Sequence, residues 1–129
     1  MRVLIADDHG IVRSGLRMLL ERQQDIEVVA EASDGAAARD LAIRERPDLA
    51  ILDVKMPKLT GLQATREIKR QAPEVSVLIL SMHDDERYLF EALKAGAAGY
   101  ILKDTTRAEL THAVRRILSG ETLLEPDLA

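Results

Sequence analysis

The chain has 129 residues, 22 acidic and 18 basic side chains for a net charge of -4, two Tyr, one Phe, and neither Cys nor Trp. That length fits one domain and leaves no room for a second, and the missing cysteines exclude thiolate metal sites, redox pairs and Cys nucleophiles. The acidic balance and scarce aromatics exclude the basic footprint and stacking surfaces of a nucleic-acid reader, and no apolar run approaches the roughly 18 residues of a membrane span.

Five short runs rich in Val, Ile and Leu punctuate the chain at 3–6, 27–32, 49–52, 75–80 and 99–102. None alternates strictly with polar residues, as expected of strands covered on both faces. Between the first two, Val12, Leu16, Leu19 and Leu20 mark one face of a helix. Asp34-Gly35 opens a second helix over 35–45, and Pro47 stops it before the third strand. Thr60-Gly61 begins a third over 60–71, closed by Pro73, and a fourth over 85–95 ends at Gly96, a position suited to a left-handed C-terminal cap. Leu110, Ala113, Val114, Ile117 and Leu118 then follow the i, i+3, i+4, i+7, i+8 pattern of a fifth. A repeat of about 24 residues is the length of a βαβ unit, because parallel strands need a long crossover. The expected fold is α/β, a (βα)5 doubly wound parallel five-stranded sheet. Residues 1–119 form the domain, and the aperiodic stretch 120–129, with Pro126, reads as a linker stub.

In such a sheet, ligands bind beyond the C-terminal strand ends at the point where strand order reverses. The first strand ends in Asp7-Asp8, the third in Asp53, the fourth in Ser81 and the fifth in Lys103. If the first and third strands are neighbours, as in the order 2-1-3-4-5, three carboxylates converge beside a hydroxyl and an ammonium. Their repulsion calls for a divalent cation, and hard oxygen donors favour Mg²⁺. Consecutive Asp7 and Asp8 point to opposite sides of an extended chain, so one binds the metal directly and the other acts through water or through Lys103. Singly, each residue has an ordinary explanation: a helix cap for Asp7-Asp8, a turn for Asp53, a strand-end hydroxyl for Ser81, a solvated charge for Lys103. Complementary chemistry at four separate strand ends favours a site.

These residues resemble the receiver domain of two-component response regulators across residues 2–118. The resemblance rests on Asp7-Asp8 after Ile5-Ala6, Asp53 in Ile51-Leu52-Asp53-Val54-Lys55-Met56-Pro57, Gly61, Ser81 after Leu80 and Lys103 after Leu102. Ala6-Asp7-Asp8-His9 with Arg13 and Gly15-Leu16, together with Leu102-Lys103-Asp104, is most similar to the NarL/FixJ (LuxR-type) subfamily. The resemblance implies a flavodoxin-like receiver fold and a phosphorylation-activated switch in which Asp53 accepts a phosphoryl group from a sensor histidine kinase. Mg²⁺ would be held by Asp8, Asp53 and the backbone carbonyl of Lys55, with Asp7 acting through water. Ser81 and Lys103 would bind the phosphoryl oxygens. Tyr100 would be the switch aromatic, the fourth helix, fifth strand and fifth helix would carry the readout, and Lys55 and His83 would tune self-dephosphorylation. Such a domain is not an enzyme beyond slow self-dephosphorylation. Its expected setting is cytoplasmic, without membrane contact, with a homodimer as a further possibility. DNA would be reached only through a C-terminal helix-turn-helix domain outside this chain, and the output would be transcription regulation.

Two departures stand out: Asp104 replaces the Pro common after the lysine, and Met82 replaces a small residue beside Ser81. His9 reads as a helix-start residue rather than a metal ligand, since no second His stands at ligand spacing. Residues 10–15 mimic a phosphate-loop spacing without its Lys-Ser/Thr, and Arg107, Arg115 and Arg116 read as a solvated helix face. The alternative function, a small Mg²⁺-dependent phosphatase with an Asp nucleophile, wants a second Asp where Lys55 stands, and a cap domain.

Overall fold

The computed structural model describes residues 1–82 and 86–123. Strands and helices alternate as β1 (Arg2–Ala6), α1 (Gly10–Glu21), β2 (Glu27–Ala32), α2 (Gly35–Glu45), β3 (Leu49–Asp53), α3 (Gly61–Gln71), β4 (Ser76–Ser81), α4 (Glu86–Ala95), β5 (Gly99–Leu102) and α5 (Arg107–Leu118). All strand pairings are parallel, in the order β2-β1-β3-β4-β5. The doubly wound (βα)5 sheet expected from the repeat is the fold.

Strand alternation splits the interior into two apolar layers. Val3, Ile5, Leu49, Ile51, Leu78 and Leu80 pack against α1 and α5 through Leu16, Leu20, Leu110, Val114 and Ile117. Leu4, Ala6, Ala50, Leu52, Val77 and Ile79 face α2, α3 and α4, where Ala38, Ala42, Leu62, Ala64, Ile68 and Ala92 close the layer. One irregularity breaks the alternation. Between Val3↔Val28 and Leu4↔Ala30 the register slips by a residue, a bulge in β2. Val28 therefore belongs to the α1/α5 layer and Ala30 and Ala32 to the other.

The helix ends follow the polar punctuation. Asp34 accepts from the Ala37 N–H at the start of α2, and Thr60 and Gln63 form a reciprocal capping box on α3. Helix α5 begins ahead of its first buried position, Leu110, because Thr106 caps it by accepting from the Glu109 N–H. Gly96 adopts φ 94, the left-handed conformation expected after α4. Beyond α5 the chain turns at Gly120, also with positive φ, and the Leu123 N–H donates to Ala98 O (2.6 Å), making a bridge to Gly99. Pairing thus continues to Leu123, inside the stretch expected to be aperiodic linker; residues 124–129 lie outside the described residues. Among the described residues, no helix is long and apolar enough to cross a membrane.

Candidate functional site

The strand order reverses between β1 and β3, and the sheet register keeps the relevant strand ends level: Ala6 pairs with Leu52, Asp53 with Leu80 and Ser81 with Leu102. Asp7, Asp53, Ser81 and Lys103 therefore emerge at one edge, where an open α/β sheet binds ligands. The Lys103 N–H donates to Ser81 O (2.7 Å), which ties the ends of β4 and β5 together.

Asp7 is buried and held at every polar atom. Its N–H donates to Ala32 O (3.1 Å), and its carbonyl accepts from Arg13 Nη1 (2.7 Å). Its Oδ1 accepts from the His9 N–H (2.9 Å) and its Oδ2 from Lys103 Nζ (2.7 Å). Lys103 Nζ also lies 3.3 Å from Asp53 Oδ2, so one ammonium serves two buried carboxylates. Burial acts to raise the Asp7 carboxyl, but the Lys103 hydrogen bond, the His9 N–H and the Lys103 charge outweigh it and hold the group below its ordinary range. Asp53 moves the other way. Burial lifts it, the Lys103 charge opposes, and the neighbouring Asp7 charge adds to the rise. Burial would lower Lys103, but its hydrogen bond to Asp7 and the Asp53 charge keep it above the usual lysine value and firmly charged.

The β3–α3 loop sets Asp53 in place through close backbone approach. Gly61 donates its N–H to Val54 O (2.8 Å), and a Cβ on Gly61 would lie 1.9 Å from Asp53 O. Gly35 closes the far side: its N–H donates to Pro57 O (3.1 Å), and a Cβ there would lie 2.0 Å from Leu59 O. Only glycine lets α2 and α3 come this close to the loop.

The remaining expected residues spread around this centre. Ser81 is fully buried, and Tyr100 is half-buried, opposite Ile79 in the sheet and packed on the α2–α4 layer. Asp8, Lys55 and Met82 are exposed at the rim; His83 lies outside the described residues. No peptide bond among the described residues is cis, the one following Lys103 included. Asp7 and Asp8 do not cap α1, whose cap position is His9. Arg115 pairs with Asp25 and Gln23, and Arg116 with Glu121, as befits a solvated face.

Two contributors escaped the sequence reading of the pocket. Arg13 holds the Asp7 carbonyl from α1, and Glu31 holds Arg13 (3.5 Å) and Arg17 (2.5 Å). Glu31 faces α1 because of the β2 bulge, a register event with no local sequence signal.

Carboxylate oxygens of Asp7, Asp8 and Asp53 and a ring nitrogen of His9 lie within 4.8 Å of one another. Hard oxygen donors at that spacing suit a Mg²⁺ ion that keeps several waters. The sequence profile of the response regulator receiver domain matches residues 3–115.

The chain belongs to the response regulator receiver family.

Its relatives agree. It is 49% identical over 129 residues to the oxygen regulatory protein NreC of Staphylococcus epidermidis, covering 99% of this chain and 59% of that protein. The chain thus spans less than two thirds of the curated relative's length. A two-component response regulator of the LuxR family from Aurantimonas superposes with a TM-score of 0.91 at 38% identity, over 98% of this chain and 91% of that one. The isolated REC domain of RcsB from Salmonella enterica serovar Typhimurium, determined with the phosphomimetic BeF3⁻, gives 0.87 at 30% identity over 95% and 91%. This receiver domain is therefore of the kind found in LuxR-family two-component regulators.

Proposed function

We propose that this receiver accepts a phosphoryl group on Asp53 from a sensor histidine kinase and passes the change to an output domain that regulates transcription. The observation that carries the reading is the Asp53 carboxylate, buried at the end of β3, 3.3 Å from Lys103 Nζ and inside the acidic cluster. An Asp53 oxygen attacks the phosphorus of a phosphohistidine in line, the P–N bond breaks, and the leaving imidazole takes up a proton. Charge builds on the equatorial phosphoryl oxygens in that transition state, and Lys103 is preplaced to neutralise it. Asp8, Asp53 and the Lys55 carbonyl would hold Mg²⁺, which when bound shields the attacking carboxylate from the incoming anion. Asp7 is engaged by Lys103, so its part is to position that lysine and to reach the ion through water.

Phosphorylation adds acceptor oxygens beside Ser81 and Lys103. Their recruitment draws the end of β4 inward, and Tyr100, half-buried on β5, follows toward Ser81 and alters the α4–β5–α5 face. Self-dephosphorylation is slow, with Lys55 and His83 governing the approach of water, and homodimerisation through the altered face is a further consequence. Acetyl phosphate with Mg²⁺ is expected to add one phosphoryl mass to the wild type and none to Asp53→Asn, read by intact mass spectrometry. Equal modification of the Asn variant would overturn the assignment.

A further inference from the structure

The proposed transfer leaves His9 without a role. It stands at the N-cap of α1 with extended backbone (φ -96, ψ 110), yet its side chain makes no capping hydrogen bond. The ring sits over the strand ends instead, with Nδ1 3.1 Å from Asp7 Oδ1 and 3.1 Å from Asp8 Oδ1. Asp7 does not need it: backbone N–H of His9 already serves Oδ1, and Lys103 serves Oδ2. Lys103 occupies the Oδ2 edge of Asp7 next to Asp53, whereas His9 borders the opposite edge together with Asp8. Ligands about 2.0–2.5 Å from an ion lie at most about 5 Å apart, and one donor atom each from Asp7, Asp8, His9 and Asp53 meets that span at 4.8 Å. With its side chain 66% exposed, the ring is not wedged by packing and turns at little cost.

We propose that His9 is a nitrogen ligand at the rim of the cation pocket and sets its selectivity, adding affinity for borderline divalent cations such as Co²⁺ beyond what the carboxylates supply. Carboxylates and water suit Mg²⁺, while an imidazole nitrogen strengthens binding of later divalent metals far more than of Mg²⁺. The inference rests on the reading of this pocket as a divalent-cation site.

The test uses the 129-residue chain as wild type, His9→Ala and His9→Gln, with Asp8→Ala as the control that removes a carboxylate. All measurements are made at one mildly alkaline pH, because an imidazole ligates a metal only in its neutral form. Pulsed EPR of bound Mn²⁺ is expected to show nitrogen coupling in the wild type that disappears in both His9 variants. Titration calorimetry is expected to show the Co²⁺-to-Mg²⁺ affinity ratio falling by about tenfold in those variants, at least the loss caused by removing an outer-shell partner. Mg²⁺ affinity and metal-free melting temperature stay near wild type. Bound Mn²⁺ without nitrogen coupling, or an unchanged ratio, overturns the role of His9 and leaves the phosphoacceptor reading standing. Failure of the wild type to bind either cation overturns both.

Discussion

Asp7 and Asp53 end neighbouring strands and share one lysine, yet their carboxyls are displaced in opposite directions. Three features separate them: Lys103 Nζ is 2.7 Å from Asp7 but 3.3 Å from Asp53, the His9 N–H adds a second donor to Asp7, and the Asp7 charge itself raises Asp53. The two make opposite contributions to stability. The depressed Asp7 stabilises the fold above the ordinary carboxylate range, and that contribution fades as pH falls through its folded value. The raised Asp53 stabilises only below the ordinary range, and its contribution is lost as pH rises through the raised value. At neutral pH without metal, Asp53 is thus a liability. Asp53→Asn is expected to melt at a higher temperature than wild type near neutrality, with the advantage vanishing in acid; a lower melting temperature at neutral pH would contradict this. Lys103→Ala leaves two buried carboxylates unbalanced and is expected to cost about 3 kcal/mol in urea unfolding. Adding Asp53→Asn should restore part of that loss, since the two groups are directly coupled.

At the scale of elements, the β3–α3 loop converts a helix start into a site. The Thr60–Gln63 capping box fixes where α3 begins, and Gly61 lets that first turn close on the Asp53 carbonyl. Thr60→Ala is expected to cost about 1 kcal/mol of stability, the usual value of an N-cap, while leaving phosphorylation intact. Gly61→Ala forces backbone apart at Asp53, the proposed phosphoacceptor. It is expected to cost about 1–3 kcal/mol and to slow acetyl phosphate labelling sharply, whereas labelling at the wild-type rate would show that the loop adapts. The β1–α1 loop is held differently, by Arg13 reaching back to the Asp7 carbonyl and braced by Glu31. That brace exists because the bulge turns Glu31 toward α1.

For the whole molecule, the proposed cation site would link metal binding to folding, because its candidate ligands come from the loop after β1, the end of β3 and the loop that follows it, and separate when the chain unfolds. Mg²⁺ at about a hundred times its dissociation constant is expected to stabilise the domain by about 2.7 kcal/mol. Asp8→Ala should abolish that gain while changing metal-free stability little, as its side chain is exposed; a retained Mg²⁺-dependent shift would place the ion elsewhere.

Much of this molecule is legible in its sequence. Strand and helix order follows from apolar runs spaced for βαβ units, and the caps at Asp34, Thr60 and Gly96 act where their residue types say they should. The candidate site residues are legible as strand ends, since each apolar run locates the end of its strand and polar residues stand at that end or just beyond it. What the tertiary structure alone decided is which of those residues share a partner. Lys103 lies 96 positions from Asp7, and only the pairing of β1 with β3, β3 with β4 and β4 with β5 brings its ammonium to both Asp7 and Asp53. His9 was legible as a helix start, but its ring against both carboxylates was not, because a side chain's direction at a loop depends on the backbone angles of the turn. The bulge in β2 belongs to the same class: the pattern of one strand cannot show a slip that exists only in its pairing with another.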